Sequence, residues 1–228
     1  MYKYKKSKYL ILVPAFNELK NLKKFAKKIN KFAPLYILDD CSIDKTEHWL
    51  IKNRIKYIKN KKNLGYEKNL LNEIKKFKSD CEYLITFDGD NQHKTSDLKK
   101  IINLKKNYDI IICDRKNKNR FLEVIISFAS QIFFGLKDPL SGFKVYKTKI
   151  LNKANFKKDE NLFLIDFLFT CIKKNSKILN YEITTKKRIG KPKVGRLISL
   201  SFKEIRILLK LFLIKFDLKN LNENYFDK

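Results

Sequence analysis

The sequence is poor in the residues that bend or break a chain, with six glycines and four prolines in 228 residues. So few, and so scattered, they leave no long flexible linker and no internal repeat, and the chain reads as one domain with a C-terminal extension. Its four cysteines, Cys41, Cys81, Cys113 and Cys171, lie far apart with no CxxC pair. That argues against a disulfide framework or a zinc site and fits reduced thiols. No uncharged apolar run reaches the roughly 18 residues that a membrane-crossing helix needs. The basic first residues lead straight into the strand-like stretch 9–13, which ends at Pro14 and is too short for a signal peptide.

Acidic residues are also scarce, 24 against 52 basic ones, for a net charge of +28. Such an excess favours polyanions such as nucleic acid, phosphorylated substrates or an anionic membrane. Lysine dominates everywhere, including on plain helix faces, so most of this charge reads as solvated surface. Arginine is the rare base, at positions 54, 115, 120, 188, 196 and 206. A guanidinium binds phosphate bidentately, so these positions carry more information than the lysines. With no zinc spacing, no helix–turn–helix signature and no aromatic RNA-binding motif, nucleic acid is not the expected partner.

What is present is alternation. Apolar runs at 9–13, 35–38, 55–58, 83–87 and 109–113 read as strands, and stretches with helical spacing at 19–32, 44–53 and 67–77 read as helices. Another helix is expected from an N-cap at Ser96 to about Leu104. The pattern predicts an α/β fold, a mostly parallel sheet with helices on both faces, whose ligands bind beyond the carboxyl ends of the strands. The polar clusters fall at those ends: PAFNE at 14–18, DDCSID at 39–44, NLG at 63–65, DGD at 88–90 and DR at 114–115. One such cluster is ordinary loop chemistry, whereas five on one rim describe a site.

Asp88 and Asp90, with only Gly89 between them, can aim carboxylate oxygens at one point, with Gln92 behind. That set suits a hard divalent cation, Mg²⁺ or Mn²⁺, which keeps waters and substrate phosphates as the rest of its shell. An acidic turn explains the two aspartates equally well, because Asp and Gly are turn residues. His93 reads as a packing or hydrogen-bonding residue.

VPAFNE (13–18), LDDCSID (38–44), NLG (63–65), FDGDNQH (87–93), DR (114–115), DPLSGF (138–143) and KRIGKPK (187–193) stand in the order and spacing of family 2 glycosyltransferases. Within that family the sequence most resembles dolichyl- or polyprenyl-phosphate sugar synthases. The resemblance implies a GT-A fold, set here at residues 1–195, and the helical spacing of apolar residues beyond it predicts a C-terminal amphipathic segment, 196–228, a candidate for a membrane interface. It implies a nucleotide-sugar pocket formed by Pro14, Phe16, Glu18, Asp39, Asp40, Asn63, Gly65 and Asp88, with Asp40 bonding the base. Asp88 and Asp90, assisted by Gln92, would hold Mg²⁺ or Mn²⁺ on the diphosphate. Arg115 and Arg120 would meet phosphate, Ser141 would help seat the acceptor, and Arg188 and Lys193 would lie on a loop closing over both substrates.

The sequence departs from the family pattern in places. Cys41 replaces a turn glycine, Pro192 replaces a serine before the loop lysine, and Asp166 stands where a glutamate is typical. The implied reaction is metal-dependent, inverting transfer from a UDP- or GDP-sugar to a polyprenyl phosphate. A lipid phosphate is already an anion and needs no strong base, whereas a saccharide hydroxyl, the alternative acceptor, would need Asp138 or Asp166 as base. The apolar stretches 121–136 and 197–218 fit a peripheral protein on the cytoplasmic face of the membrane, with the basic stripe of the second facing anionic head groups, and the second fits equally a helix that packs its apolar face on the domain or on another copy. An oligomer is left open.

Overall fold

Seven strands and eight helices form in the computed structural model, which describes residues 7–104, 107–118, 120–152, 162–186 and 194–216. In chain order they are β1 (Ser7–Ala15), α1 (Leu19–Asn30), β2 (Leu35–Asp39), α2 (Thr46–Lys52), β3 (Tyr57–Lys59), α3 (Tyr66–Phe77), β4 (Cys81–Thr86) and α4 (Thr95–Leu104). There follow β5 (Ile110–Arg115), α5 (Phe121–Phe134), β6 (Lys144–Lys147), α6 (Thr148–Asn152), α7 (Phe163–Lys173), β7 (Ile178–Ile183) and α8 (Val194–Phe216). The fourth helix starts at Thr95, so Ser96 lies inside it instead of capping it.

The strands make one sheet in the order β3-β2-β1-β4-β6-β5-β7. All neighbours run parallel except β6, which lies antiparallel between β4 and β5. Successive residues of β1 point to opposite faces, so Leu10 and Leu12 join one core layer while Ile11 and Val13 join the other. The second layer takes Leu22, Phe25 and Ile29 of α1, Leu50 of α2, and Leu98 and Ile101 of α4. The first takes Leu70 and Ile74 of α3, Phe163 and Phe167 of α7, and Ile207 and Leu211 of α8. Burial on both faces is why the central strands read as continuous apolar runs.

Helix α8 is turned the other way from the amphipathic reading. Lys203 pairs with Glu67 of α3 at 2.8 Å, Glu204 with Arg120 at 2.8 Å, and Lys210 with Asp166 of α7. Ile207, Leu211 and Ile214 fill the space between these pairs. Lys203 and Lys210 of the expected basic stripe therefore face the domain, where Glu67 and Asp166 meet them. Phe202, Ile205, Leu209, Phe212 and Leu213 are left on the outer side, with Arg206 among them. Helix α5 lies parallel beside it, with Arg120 next to Glu204 at one end and Phe133 against Phe212 and Lys215 at the other. Its own outer stripe is Phe121, Val124, Phe128 and Ile132. Among the described residues no helix is long and apolar enough to cross a membrane.

Candidate active site

The rim at the carboxyl ends of β1, β2, β4 and β5 is stitched together by short polar side chains. Asn17, which the sequence reading passed over, has φ +53° and joins the first two loops. Its N–H donates to Ser42 Oγ at 2.8 Å, and its Oδ1 accepts from the N–H of Ile43 at 2.8 Å. Glu18 accepts from Asn21 at 2.5 Å at the start of α1.

Asp40 carries the next loop. Its Oδ1 accepts from Leu64 N–H at 2.8 Å and Asn60 Nδ2 at 2.9 Å, and its Oδ2 accepts from Gly65 N–H at 2.8 Å. The carboxylate expected to read a base is thus first a clamp on the 63–65 turn, where Gly65 has φ +82° and Asn63 Oδ1 also accepts from its N–H. Cys41 sits beside it at φ +66°, in the left-handed region that a glycine would occupy without strain. Asp39 is fully buried and accepts from Ser42 N–H at 3.0 Å.

Asp88 is held on both sides: its Oδ2 meets His93 Nε2 at 2.9 Å, and its Oδ1 accepts from Tyr66 Oη at 3.3 Å. The His93 ring is buried between Phe87 and Phe143, each 5.3 Å away. Burial alone would push the Asp88 carboxyl up, but His93, Arg115 and Lys144 together hold it below the usual carboxylate range. Two glycines permit close approaches here, Gly89 to the end of β1 and Gly142 to Asp88. A Cβ on Gly89 would lie 2.7 Å from the Pro14 carbonyl oxygen, and one on Gly142 would lie 1.9 Å from Asp88 Oδ1.

Asp90, half-exposed, accepts from Gln92 N–H at 3.0 Å. The Gln92 carbonyl in turn accepts from Lys186 N–H at 2.8 Å, so the segment after β7, where the expected closing loop begins, passes beside the acidic pair. Arg188 and Lys193 lie outside the described residues. Among the described residues no three His, Cys, Asp or Glu side chains gather as a metal cage. The donors available to a cation are the carboxylate oxygens of Asp88 and Asp90.

The third side of the site is built from ion pairs. Asp138, fully buried, accepts from Arg115 Nε at 2.7 Å, from its NH2 at 3.1 Å and from its backbone N–H at 3.1 Å. These contacts hold the guanidinium protonated despite its burial. Arg120 meets Glu123 at 2.6 Å and Glu204 at 2.8 Å. Ser141 is fully buried, and its Oγ accepts from Phe143 N–H at 3.3 Å, so its hydroxyl serves the loop and does not face the rim. Asp166 is buried against Lys210.

Lys144, which nothing in the sequence marks out from the other lysines, is buried beneath the site with its Nζ donating to the Ser141 carbonyl. Burial pushes its pKa down to about 8, against the pull of Asp138, Glu67 and Asp88. The structure therefore brings Asp88, Asp90, Arg115 and Arg120 to one rim, and it puts Asp138, Asp166 and Ser141 behind it.

The sequence profile of Glycosyl transferase family 2 matches residues 10–154. The chain is 32% identical over 173 residues to the uncharacterized protein MJ0544 of Methanocaldococcus jannaschii, covering 64% of this chain and 75% of that protein. It is 26% identical over 204 residues to MJ1222 of the same organism, covering 79% and 82%. Among solved structures, glucosyl-3-phosphoglycerate synthase from Mycobacterium tuberculosis with phosphoglyceric acid superposes with a TM-score of 0.71 at 16% identity, covering 92% of this chain and 80% of that one. The same enzyme with Mn²⁺, uridine-diphosphate and glucosyl-3-phosphoglycerate gives a TM-score of 0.70 at 15% identity, again covering 92% and 80%. At such identities the likeness carries the fold, which is GT-A.

Proposed function

The chain belongs to glycosyl transferase family 2, and from that membership we propose that it moves a sugar, with inversion, from a nucleoside-diphosphate donor to a polyprenyl phosphate at a membrane surface. The observation that carries the choice of acceptor is the state of the two candidate bases. Asp138 has both oxygens on Arg115 and no exposed surface, and Asp166 is buried against Lys210. Neither is open to take a proton from a sugar hydroxyl. A phosphate monoester needs no such base: it arrives as an anion, and alignment with charge stabilisation supplies the rate.

The donor side follows from the rim. Asp40 fixes the 63–65 turn, Asn17 fixes the loops after β1 and β2, and these loops with Pro14, Phe16 and Glu18 would wall the nucleoside. The donor set fits a hard cation, since Asp88 and Asp90 present only carboxylate oxygens, and Asp88 is packed closely against Gly142. Gln92 stands beside Asp90. Bound there, Mg²⁺ or Mn²⁺ supplies Lewis-acid neutralisation of the diphosphate leaving group. The solved Mycobacterium tuberculosis relative carries Mn²⁺ with uridine-diphosphate, which supports a divalent cation and a UDP-sugar here. Arg115 and Arg120 would receive phosphate, and Arg188 and Lys193 would close over it.

The membrane enters through the outer stripes of α5 and α8, Phe121, Val124, Phe128 and Ile132 beside Phe202, Ile205, Leu209 and Leu213, all more than 40% exposed. An apolar face of this size is a docking surface, and the net charge of +28 suits an anionic bilayer. A lipid acceptor keeps its tail in that bilayer, so site and apolar face would meet the same surface. On this proposal the protein works as a peripheral enzyme on the cytoplasmic leaflet. Vesicle sedimentation tests it. The protein should pellet with anionic vesicles, partly release in salt, and stay in solution when Phe128 and Leu209 are both replaced by Glu. Sedimentation unchanged by that double substitution would exclude the face as the dock.

A second reading is transfer to a hydroxyl of a soluble acceptor. It is favoured by one observation, that the structural relative was solved with phosphoglyceric acid.

A further inference from the structure

Arg115 and Arg120 stand at the end of β5 with one oxygen between them. Glu123 Oε1 lies 3.6 Å from Arg115 NH1 and 2.6 Å from Arg120 NH2. The same NH2 of Arg120 meets Glu204 Oε1 at 2.8 Å, and Glu204 comes from α8, far along the chain. Asp138 grips Arg115 from the other side. The three carboxylates are all buried, while the side chains of Arg115 and Arg120 are 17% and 32% exposed. The anions thus lie underneath and the cations above, at the rim. Glu123 and Glu204 both meet Arg120 through its Nη2, which makes a hydrogen bond to Glu123 and an ion contact with Glu204.

We infer that Glu204 of α8 is a positioning residue for the acceptor phosphate: with Glu123 it holds Arg120 beside Arg115 as one two-arginine seat. The inference rests on the proposed phosphate-bearing acceptor. A free arginine side chain loses much rotamer freedom when it clasps a ligand, and pinning it beforehand removes that cost from binding. One oxygen shared by two guanidiniums also sets their spacing, so a phosphate can reach both forks together. On this account α8 completes the active site. Its removal would weaken a short soluble acceptor that touches no bilayer, which a pure membrane anchor would not do.

The test uses the full chain loaded with donor and divalent cation, in the absence of vesicles. Farnesyl phosphate is titrated by calorimetry and ³¹P NMR into the wild type, Glu204→Gln, Arg120→Gln and the double variant. Glu204→Gln keeps shape and loses charge. Each single variant should bind farnesyl phosphate about tenfold more weakly, the scale of one charge-assisted contact. The double variant should be no worse, because both act through one guanidinium. Donor affinity should be unchanged, and Glu204→Asp should recover part of the loss.

Wild-type binding by Glu204→Gln, losses that multiply in the double variant, or a parallel fall in donor affinity would each overturn the role of Glu204. If Glu204→Gln unfolds, Glu204→Asp alone decides: binding equal to wild type refutes the inference, and a selective weakening supports it. A wild type that binds neither farnesyl phosphate nor inorganic phosphate, yet glycosylates a sugar hydroxyl, would instead overturn the acceptor reading, and this role with it.

Discussion

A methyl group at Gly142 tests whether Asp88 must sit where the structure puts it. The added Cβ would lie 1.9 Å from Asp88 Oδ1 and 2.4 Å from its Cγ and Oδ2. Carbon contacts settle at about 3.5 Å, so the carboxylate would have to retreat by roughly 1.5 Å. Gly142 is not in the left-handed region, so its backbone accepts alanine and the collision with Asp88 is the main cost. Retreat breaks the 2.9 Å contact with His93 and the 3.3 Å contact with Tyr66. A hydrogen bond to a charged group is worth about 1.5–3 kcal/mol and a long one less, so Gly142→Ala should destabilise the fold by about 2–4 kcal/mol. Displacing a proposed cation ligand by this much should slow transfer at least about a hundredfold.

The assay is a cycle of urea unfolding on the wild type, Gly142→Ala, Asp88→Ala and the double variant. Asp88→Ala removes all three colliding atoms, so the methyl should cost under about 0.5 kcal/mol in that background. A methyl that costs the same in both backgrounds, or that leaves transfer at the wild-type rate, would refute the reasoning.

Other perturbations separate the remaining parts of the account. Asp90→Ala should abolish metal-dependent donor binding and leave the melting temperature within a few degrees of wild type; donor calorimetry with and without EDTA checks it. Cys41→Gly relieves a left-handed residue at φ +66° and should stabilise by about 1 kcal/mol, less than the full strain because glycine also loosens the unfolded chain. Lys144 has a folded pKa of about 8 against an ordinary 10.5, so below pH 8 the fold bears the whole cost of a buried charge. Between pH 8 and 10.5 the unfolded chain holds the proton more tightly, so wild-type stability rises with pH through that window by up to about 3 kcal/mol relative to Lys144→Met. Parallel stability curves for the two proteins from pH 7 to 10 would contradict this.

The early half of the fold was legible because each strand buried on both faces is a plain apolar run, and each run ends in a polar cluster that marks the rim. Strands β1, β2, β4 and β5 and the exits carrying Asp88 and Arg115 could be placed on that signal, whereas β3, an edge strand of half-buried and exposed residues at Tyr57–Lys59, only overlaps the expected 55–58. Strand β6 could not be placed. Its sequence, KVYK, begins with a buried lysine, and it enters the sheet antiparallel between β4 and β5, a pairing that no local pattern encodes. Strand β7, ILNYEI, is an edge strand of half-buried residues with no clear alternation.

The charged residues were the least legible. Lys144, Lys203 and Lys210 look like the lysines of any solvated face, and only the fold sets carboxylates against them. Asp138 and Asp166 looked like bases for the same reason: their partners Arg115 and Lys210 are 23 and 44 positions away in sequence. Asn17 had no signal beyond its place in a polar cluster, although its left-handed turn joins two loops.

The central claim is transfer of a sugar to a lipid phosphate. The most direct measurement incubates the full chain with radiolabelled UDP- or GDP-sugar, Mn²⁺ or Mg²⁺, and anionic vesicles containing polyprenyl phosphate, then counts label extracted into organic solvent. The account predicts organic-soluble label that needs both the cation and the lipid phosphate, and that vanishes in Asp90→Ala. Label that stays in water as free sugar or a glycosylated soluble acceptor, with none in the lipid for any donor, would contradict it.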